Sequence, residues 1–176
     1  MRVGVIGATG AVGKELVEVL AKRRFPVTEL RLFASTRSAG TKQKTPFGEV
    51  TIEAYSLEAA RGLDLALLAV SGDFAKAHAR PLAEAGVAVV NNSSAFRLEQ
   101  DVPLVVPEVN ASAIGRHRLI ANPNCTTAIL VVALEPLRQA FGLKRVIVST
   151  YQAASGAGAE GMAELERETR RVLLEG

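Results

Sequence analysis

The sequence predicts an α/β protein built on a parallel sheet. Short apolar runs rich in β-branched residues recur at 3–6, 30–34, 65–70 and 87–90. Stretches of helical period lie between them, at 14–22 and 73–84. The runs at 65–70 and 87–90 are apolar at nearly every residue, the pattern of strands covered on both faces. Strands alternating with helices in this way form βαβ units and hence parallel pairs.

The first element is Val3, Val5 and Ile6, too short for a helix. It runs into Gly7-Ala8-Thr9-Gly10-Ala11-Val12-Gly13, after which residues 14–22 read as an amphipathic helix. A strand, a glycine-rich turn and a helix point to the start of a Rossmann-like dinucleotide-binding unit, with a purely structural glycine turn as the competing reading, since the spacing here is G-x-x-G-x-x-G rather than G-x-G-x-x-G. Gly7 permits the turn, Gly10 lets backbone approach a phosphate, and Gly13 lets the helix pack on the sheet. Free N–H groups at the helix start would face a pyrophosphate. Thr9, Ala11 and Val12 fill the same turn.

Residues 30–34 form the second strand and end at Ser35-Thr36-Arg37-Ser38. In this fold the second strand ends beside the adenosine ribose. An acidic residue there would bind a free 2′-hydroxyl, and none is present; hydroxyls and a guanidinium suit a 2′-phosphate, so NADP is expected over NAD. Residues 41–46 read as a polar connection, 48–55 as a strand, and 56–61 as a short helical piece with Ser56 as its N-cap. Strand 65–70 ends at Ser71-Gly72, helix 73–84 closes at Gly86, and strand 87–90 ends at Asn91-Asn92-Ser93-Ser94. Strand ends followed by small polar residues line the ligand crevice of open α/β sheets, which makes Ser71, Gly72 and Asn91 part of the expected cofactor wall. Arg97 follows that crevice and is a candidate anion ligand. A short strand is expected at 104–106, a helix at 128–140 interrupted by Pro136, a strand at 146–150, and a last helix at 160–174.

The 176 residues suffice for a sizeable core, and 48% are apolar. The net charge of +3 is interspersed and forms no basic block; it says little about nucleic acid and fits a small anionic substrate equally well, and no nucleic-acid partner is expected. No leader segment and no apolar run of membrane-spanning length is seen, so a cytoplasmic location and no membrane partner are expected. The single cysteine excludes an internal disulfide framework and fits a reducing compartment. With one thiol and two histidines, His78 and His117, no metal site is expected, and both histidines read as surface residues.

Cys125 follows Pro123-Asn124 and precedes a long apolar stretch, which puts it at or near a helix start. Unpaired N–H groups and the helix dipole there stabilise a thiolate, a good nucleophile for a carbonyl carbon. An inert core cysteine is the competing reading. A nucleotide fold with a cysteine nucleophile suits oxidation of an aldehyde through a thiohemiacetal and a thioester, or reduction of an acyl phosphate in reverse.

Five segments read GATGAVG at 7–13, STRSAG at 35–40, NNSSAFR at 91–97, NPNCTT at 122–127 and YQAASG at 151–156. Together and in this order they resemble the amino-terminal half of the aspartate-semialdehyde dehydrogenase family. The resemblance implies interconversion of 4-phospho-L-aspartate and L-aspartate 4-semialdehyde with NADPH, a step of lysine (diaminopimelate), threonine and methionine biosynthesis. It implies Cys125 as the nucleophile, Gln152 as a substrate-orienting residue, Arg97 as a ligand of the phosphate or acyl phosphate, and Asn124 as a holder of substrate or intermediate. It also implies Ser35, Arg37 and Ser38 as contacts to the 2′-phosphate. Residues 1–124 would form the NADP-binding domain, and 125–176 would begin an α+β catalytic and dimerisation domain of a homodimer. Members of the family run to roughly twice this length, the span of a two-domain chain. Their acid–base histidine and a further substrate arginine lie in the second half, so the 176 residues alone are expected to turn over very poorly, and 126–176 to depend on partner surfaces. A related reductase of N-acetyl-glutamyl phosphate shares the chemistry but carries Pro-Gly-Cys-Tyr where this chain has Pro123-Asn124-Cys125-Thr126. A non-catalytic NADP-binding module is the reading from another class.

Overall fold

The central strand of the sheet is β1, Arg2–Ile6, in a computed structural model that describes residues 1–175. It is followed by α1 (Ala11–Lys22), β2 (Glu29–Ala34), β3 (Lys42–Thr45), β4 (Gly48–Ala54), α2 (Leu57–Ala60), β5 (Leu65–Leu68), α3 (Gly72–Glu84), β6 (Ala88–Asn91), α4 (Pro107–Asn110), β7 (Leu119–Ala121), α5 (Cys125–Phe141) and α6 (Gly158–Glu175). The strand order is β3-β4-β2-β1-β5-β6-β7, parallel throughout except for the β3–β4 pair. Connections leave β1 first toward β2 and then, from β4, return to β5 on its other side. The sheet therefore has its topological switch between β1 and β5, where ligands bind in open α/β folds.

Alternation along the strands builds two cores. Val5, Leu32 and Ile52 meet Val17 of α1 on one face, while Ile6, Phe33 and Leu68 meet Ala75, Ala79 and Leu82 of α3 on the other. The spacing of Ala75, Ala79 and Leu82 is that of one helix stripe, and their small size lets α3 approach the sheet closely. Arg31 holds the short α2 over the same face. Its guanidinium donates to both carboxylate oxygens of Glu53 on β4, at 2.9 and 2.5 Å, and to the Ala59 carbonyl of α2 at 2.5 Å.

Several sequence expectations are corrected. The polar connection at 41–46 contains β3, an edge strand. Its residues are polar on both faces because the strand is covered by neither core, so it leaves no apolar alternation to read. The strand expected at 104–106 is reduced to one bridge, Leu104 to Ala121. Pro136 does not interrupt α5, which runs on to Phe141 and forgoes one backbone hydrogen bond. Residues 146–150 are not a strand: no described segment pairs with them, and strand residues without a ladder partner remain irregular. His78 is not a surface residue. It is half-buried on α3 against Tyr55 and Phe74.

Candidate active site and nucleotide cleft

The glycine turn sits at the carboxyl end of β1. Gly7 has φ +89°, and a Cβ on it would lie 2.1 Å from the Ala69 carbonyl oxygen, so both conformation and space demand glycine. A Cβ on Gly13 would come within 2.3 Å of the Gly7 carbonyl oxygen and 2.7 Å of the Ala8 Cα, which is how α1 packs this tightly on the turn. Gly10 differs: a Cβ there meets nothing closer than 3.4 Å. The protein itself does not require glycine at that exposed position, whereas an approaching phosphate would. Thr9, Ala11 and Val12 are exposed around it at the start of α1.

A cleft of about 520 Å³ opens beside this turn, at the switch between β1 and β5. Ile6 and Gly7 form its base, Ser35 and Thr36 at the end of β2 one rim, and Val70 and Ser71 after β5 the other. Ser71 caps α3, accepting from the Phe74 N–H at 3.4 Å, with Gly72 the first helical residue. The back wall is Tyr55, Leu57, Phe74 and His78. Burial pushes the Tyr55 phenol up, and its hydroxyl is closed off without a hydrogen-bond partner among the described residues. Ser35, Thr36, Arg37 and Ser38 form a tight turn closed by Ser38 N–H on the Ser35 carbonyl at 3.0 Å, with the Arg37 side chain exposed. The turn, the open Gly10 and the cleft fit a dinucleotide. Asn91 is fully buried, and its amide binds Ser93 at 3.0 Å, so this residue shapes the end of β6 and presents no free amide to the cleft.

A second group of residues gathers at the ends of β6 and β7. Arg97, half-buried, donates from Nε to the Asn122 carbonyl at 2.9 Å and from Nη2 to the Asn92 carbonyl at 3.0 Å. The Asn122 amide donates to Asn92 Oδ1 at 2.7 Å and closes the bracket. These bonds fix a guanidinium beside two strand ends while leaving its Nη1 without a partner among the described residues. Three residues after Asn122, Cys125 opens α5, exposed at the helix start. Asn124 is the N-cap and accepts from the Thr126 N–H at 3.0 Å. The Asn124 amide donates to Gln152 Oε1 at 3.2 Å, and the Cys125 thiol faces the same oxygen at 3.7 Å. Gly156 makes room for this arrangement, since a Cβ there would lie 2.0 Å from Gln152 Nε2. The adjacent Asn124 and Cys125 thus meet Gln152 from a distant part of the sequence, a thiol with two polar side chains beside it. No group of three or more His, Cys, Asp or Glu that could hold a metal occurs among the described residues.

The sequence reading did not foresee the back wall or the asparagines that hold Arg97. Phe74 and His78 are four apart on α3 and so share a face, and Tyr55 ends a strand next to the crevice; those two signals could have found the wall.

A family model described as semialdehyde dehydrogenase, NAD binding domain, matches residues 2–117. The chain belongs to the semialdehyde dehydrogenase family. A second model of the family, its dimerisation domain, matches residues 134–175. Relatives called aspartate-semialdehyde dehydrogenase include those of Synechocystis, 48% identical over 98% of this chain and 52% of the relative, and of Bacillus subtilis, 46% identical over 98% and 50%. The crystal structure of aspartate semialdehyde dehydrogenase II from Vibrio cholerae, complexed with ASA, superposes with a TM-score of 0.87 at 42% identity, over 98% of this chain and 52% of that one. A Candida albicans aspartate semialdehyde dehydrogenase with NADP superposes with a TM-score of 0.66 at 31% identity, over 81% and 48%. The chain spans about half the length of the curated relatives it matches. No described helix is long and apolar enough to cross a membrane.

Proposed function

We propose that this chain is the cofactor-binding and nucleophile-bearing half of an aspartate-semialdehyde dehydrogenase. The complete enzyme would reduce 4-phospho-L-aspartate to L-aspartate 4-semialdehyde with NADPH, in the cytoplasm and as a homodimer. Residues 1–124 bind NADP, and 125–176 begin the catalytic and dimerisation domain. The observation that carries this reading is the meeting of Cys125, Asn124 and Gln152 at the start of α5, with Arg97 held to Asn122, three residues before Cys125, and the glycine turn at the carboxyl end of β1 in the same sheet.

The Cys125 thiolate attacks the acyl carbon. The C–S bond forms, the bond from carbon to phosphate oxygen breaks, and inorganic phosphate leaves beside the Arg97 guanidinium. The amides of Gln152 and Asn124 hold the resulting thioester. NADPH, when bound, supplies a hydride to that carbon. The C–S bond then breaks, the aldehyde departs and the thiolate is restored. Gly7, Thr9, Gly10, Ala11, Val12 and Gly13 would cradle the pyrophosphate, and Ser35, Thr36, Arg37 and Ser38 the 2′-phosphate. The Candida relative described with NADP, and the absence of an acidic side chain from the turn at Ser35–Ser38 in the sequence, support NADP over NAD.

The test is the complete gene product assayed with L-aspartate 4-semialdehyde, phosphate and NADP. NADPH absorbance should rise only when phosphate is present. Cys125→Ser should lower that rate by about a thousandfold or more while NADPH still binds. Equal rates without phosphate, activity with N-acetyl-glutamate semialdehyde in place of the aspartate compound, or a Cys125→Ser enzyme of ordinary rate would each overturn the reading.

A further inference from the structure

The back wall of the nucleotide cleft is an aromatic trio. Phe74 and His78 lie one turn apart on α3, with ring centroids 4.3 Å apart and planes tilted by 45°. Tyr55, at the end of β4, meets both edge-on, each at 5.0 Å. Phe33 backs Tyr55 from the sheet at 6.3 Å. Edge-to-face contacts of this kind fix ring orientation. The imidazole is therefore held by rings on two elements, and it is half-buried with one side on the cleft. A histidine that served only the core would be closed off from the cleft, as Leu82 on the same helix is, at 0% exposure.

The order of groups along the cleft says what meets this wall. The glycine turn at Gly7 takes the pyrophosphate, and the rim at Ser35 and Thr36 takes the ribose attached to it. On the far side of β2 from β1, the next strand β4 runs into Tyr55, and Leu57, Phe74 and His78 line the same cleft. We propose that His78, fixed by Tyr55 and Phe74, is the ring against which the purine base of the dinucleotide stacks, so that it sets affinity for the adenosine half. This rests on the dinucleotide reading of the cleft.

The role assigned is that of a planar ring and not of a proton donor, which separates two substitutions. In the complete gene product, titrated calorimetrically with NADPH, His78→Ala should weaken binding about tenfold. His78→Phe, which keeps a planar ring, should bind within about twofold of the parent on the same argument. Reduced nicotinamide mononucleotide, which has no adenosine half, should bind all three proteins alike. The proposal is overturned if His78→Ala binds NADPH like the parent, or if His78→Phe is as weak as His78→Ala. It is also overturned if His78→Ala weakens the mononucleotide to the same degree. Failure of the parent protein to bind any dinucleotide would be a different result, and would sink the nucleotide reading itself.

Discussion

The sheet up to Ala121 and the segment from Cys125 onward are written in much the same alphabet, yet they end in opposite environments. Val3, Val5, Leu32, Phe33, Ala66, Leu82, Val87 and Val89 are fully buried in the first. In the second, Ile129, Phe141, Ile147 and Tyr151 are 72%, 84%, 85% and 96% exposed. The inner strands of the first region, β4, β2, β1, β5 and β6, have neighbours on both sides, and the sheet's two faces are covered by α1 and α3. In the second, α5 meets the rest of the chain along α4, and the described side chains of α6 lie almost all open. Amphipathic sequence creates a demand for burial, and only a partner surface meets it. The match of a dimerisation domain to residues 134–175 agrees with such a demand.

Hydrogen exchange on the 176-residue chain would test this contrast most severely. Amides of β1 and β5 should be protected about ten-thousandfold more than those of residues 142–153, since core strands open only with global unfolding. Equal protection would mean that the second region finds a partner in solution. Next in size is the glycine turn. Gly7→Ala combines a disfavoured φ with a backbone clash and should cost about 3 kcal/mol in denaturant melts. Gly10→Ala should change stability by less than about 0.5 kcal/mol and weaken NADPH binding instead. In the same melts Leu68→Ala, from a site only 1% exposed, should cost about 3 kcal/mol, while Ile147→Ala should cost about nothing. An Ile147→Ala cost near that of Leu68→Ala would abolish the contrast.

The smallest expected effect is electrostatic. Hydrogen bonds from Arg138, and then Gln139, hold the Glu135 carboxyl down at about 2 against an ordinary 4.5. A depressed carboxyl stabilises α5 fully above its unfolded value and loses that contribution as pH falls through about 2. A carbon-detected NMR titration of Glu135 should therefore show no midpoint near 4.5, and Arg138→Ala should restore one.

Strands buried on both faces announce themselves through composition, so β1, β2, β5 and β6 were legible to within a residue or two. Ser56 caps α2 as its type and place predicted, whereas the caps Ser71 and Asn124 were not read as caps, and α5 starts three residues before the expected 128. β3 was not legible, because an edge strand covered by neither core needs no apolar residues. The strand expected at 146–150 fails for the opposite reason: its residues are apolar and β-branched, but pairing is a property of two segments and not of one. Type and local position put Cys125 at a helix start and Arg97 after the end of β6, and only the family resemblance singled out Gln152. Their contacts were not legible, because the meeting of Gln152 with Asn124 depends on 27 intervening residues and on the space at Gly156. His78 was misread because its neighbours Tyr55 and Phe74 come partly from another element.

The link from Ala121 to Cys125 consists of Asn122, Pro123 and Asn124, and it joins the Arg97 bracket to the first turn of α5. Each residue of an α-helix turns the chain by about 100°. One residue inserted or lost within that link would swing the thiol a quarter-turn or more around the helix, away from Gln152 and from the arginine, with every side chain still present. The length of this link is thus under tighter constraint than its composition: on the proposed function, a variant with one residue inserted between Ala121 and Asn122, all five motifs intact, should bind nucleotide and lose turnover.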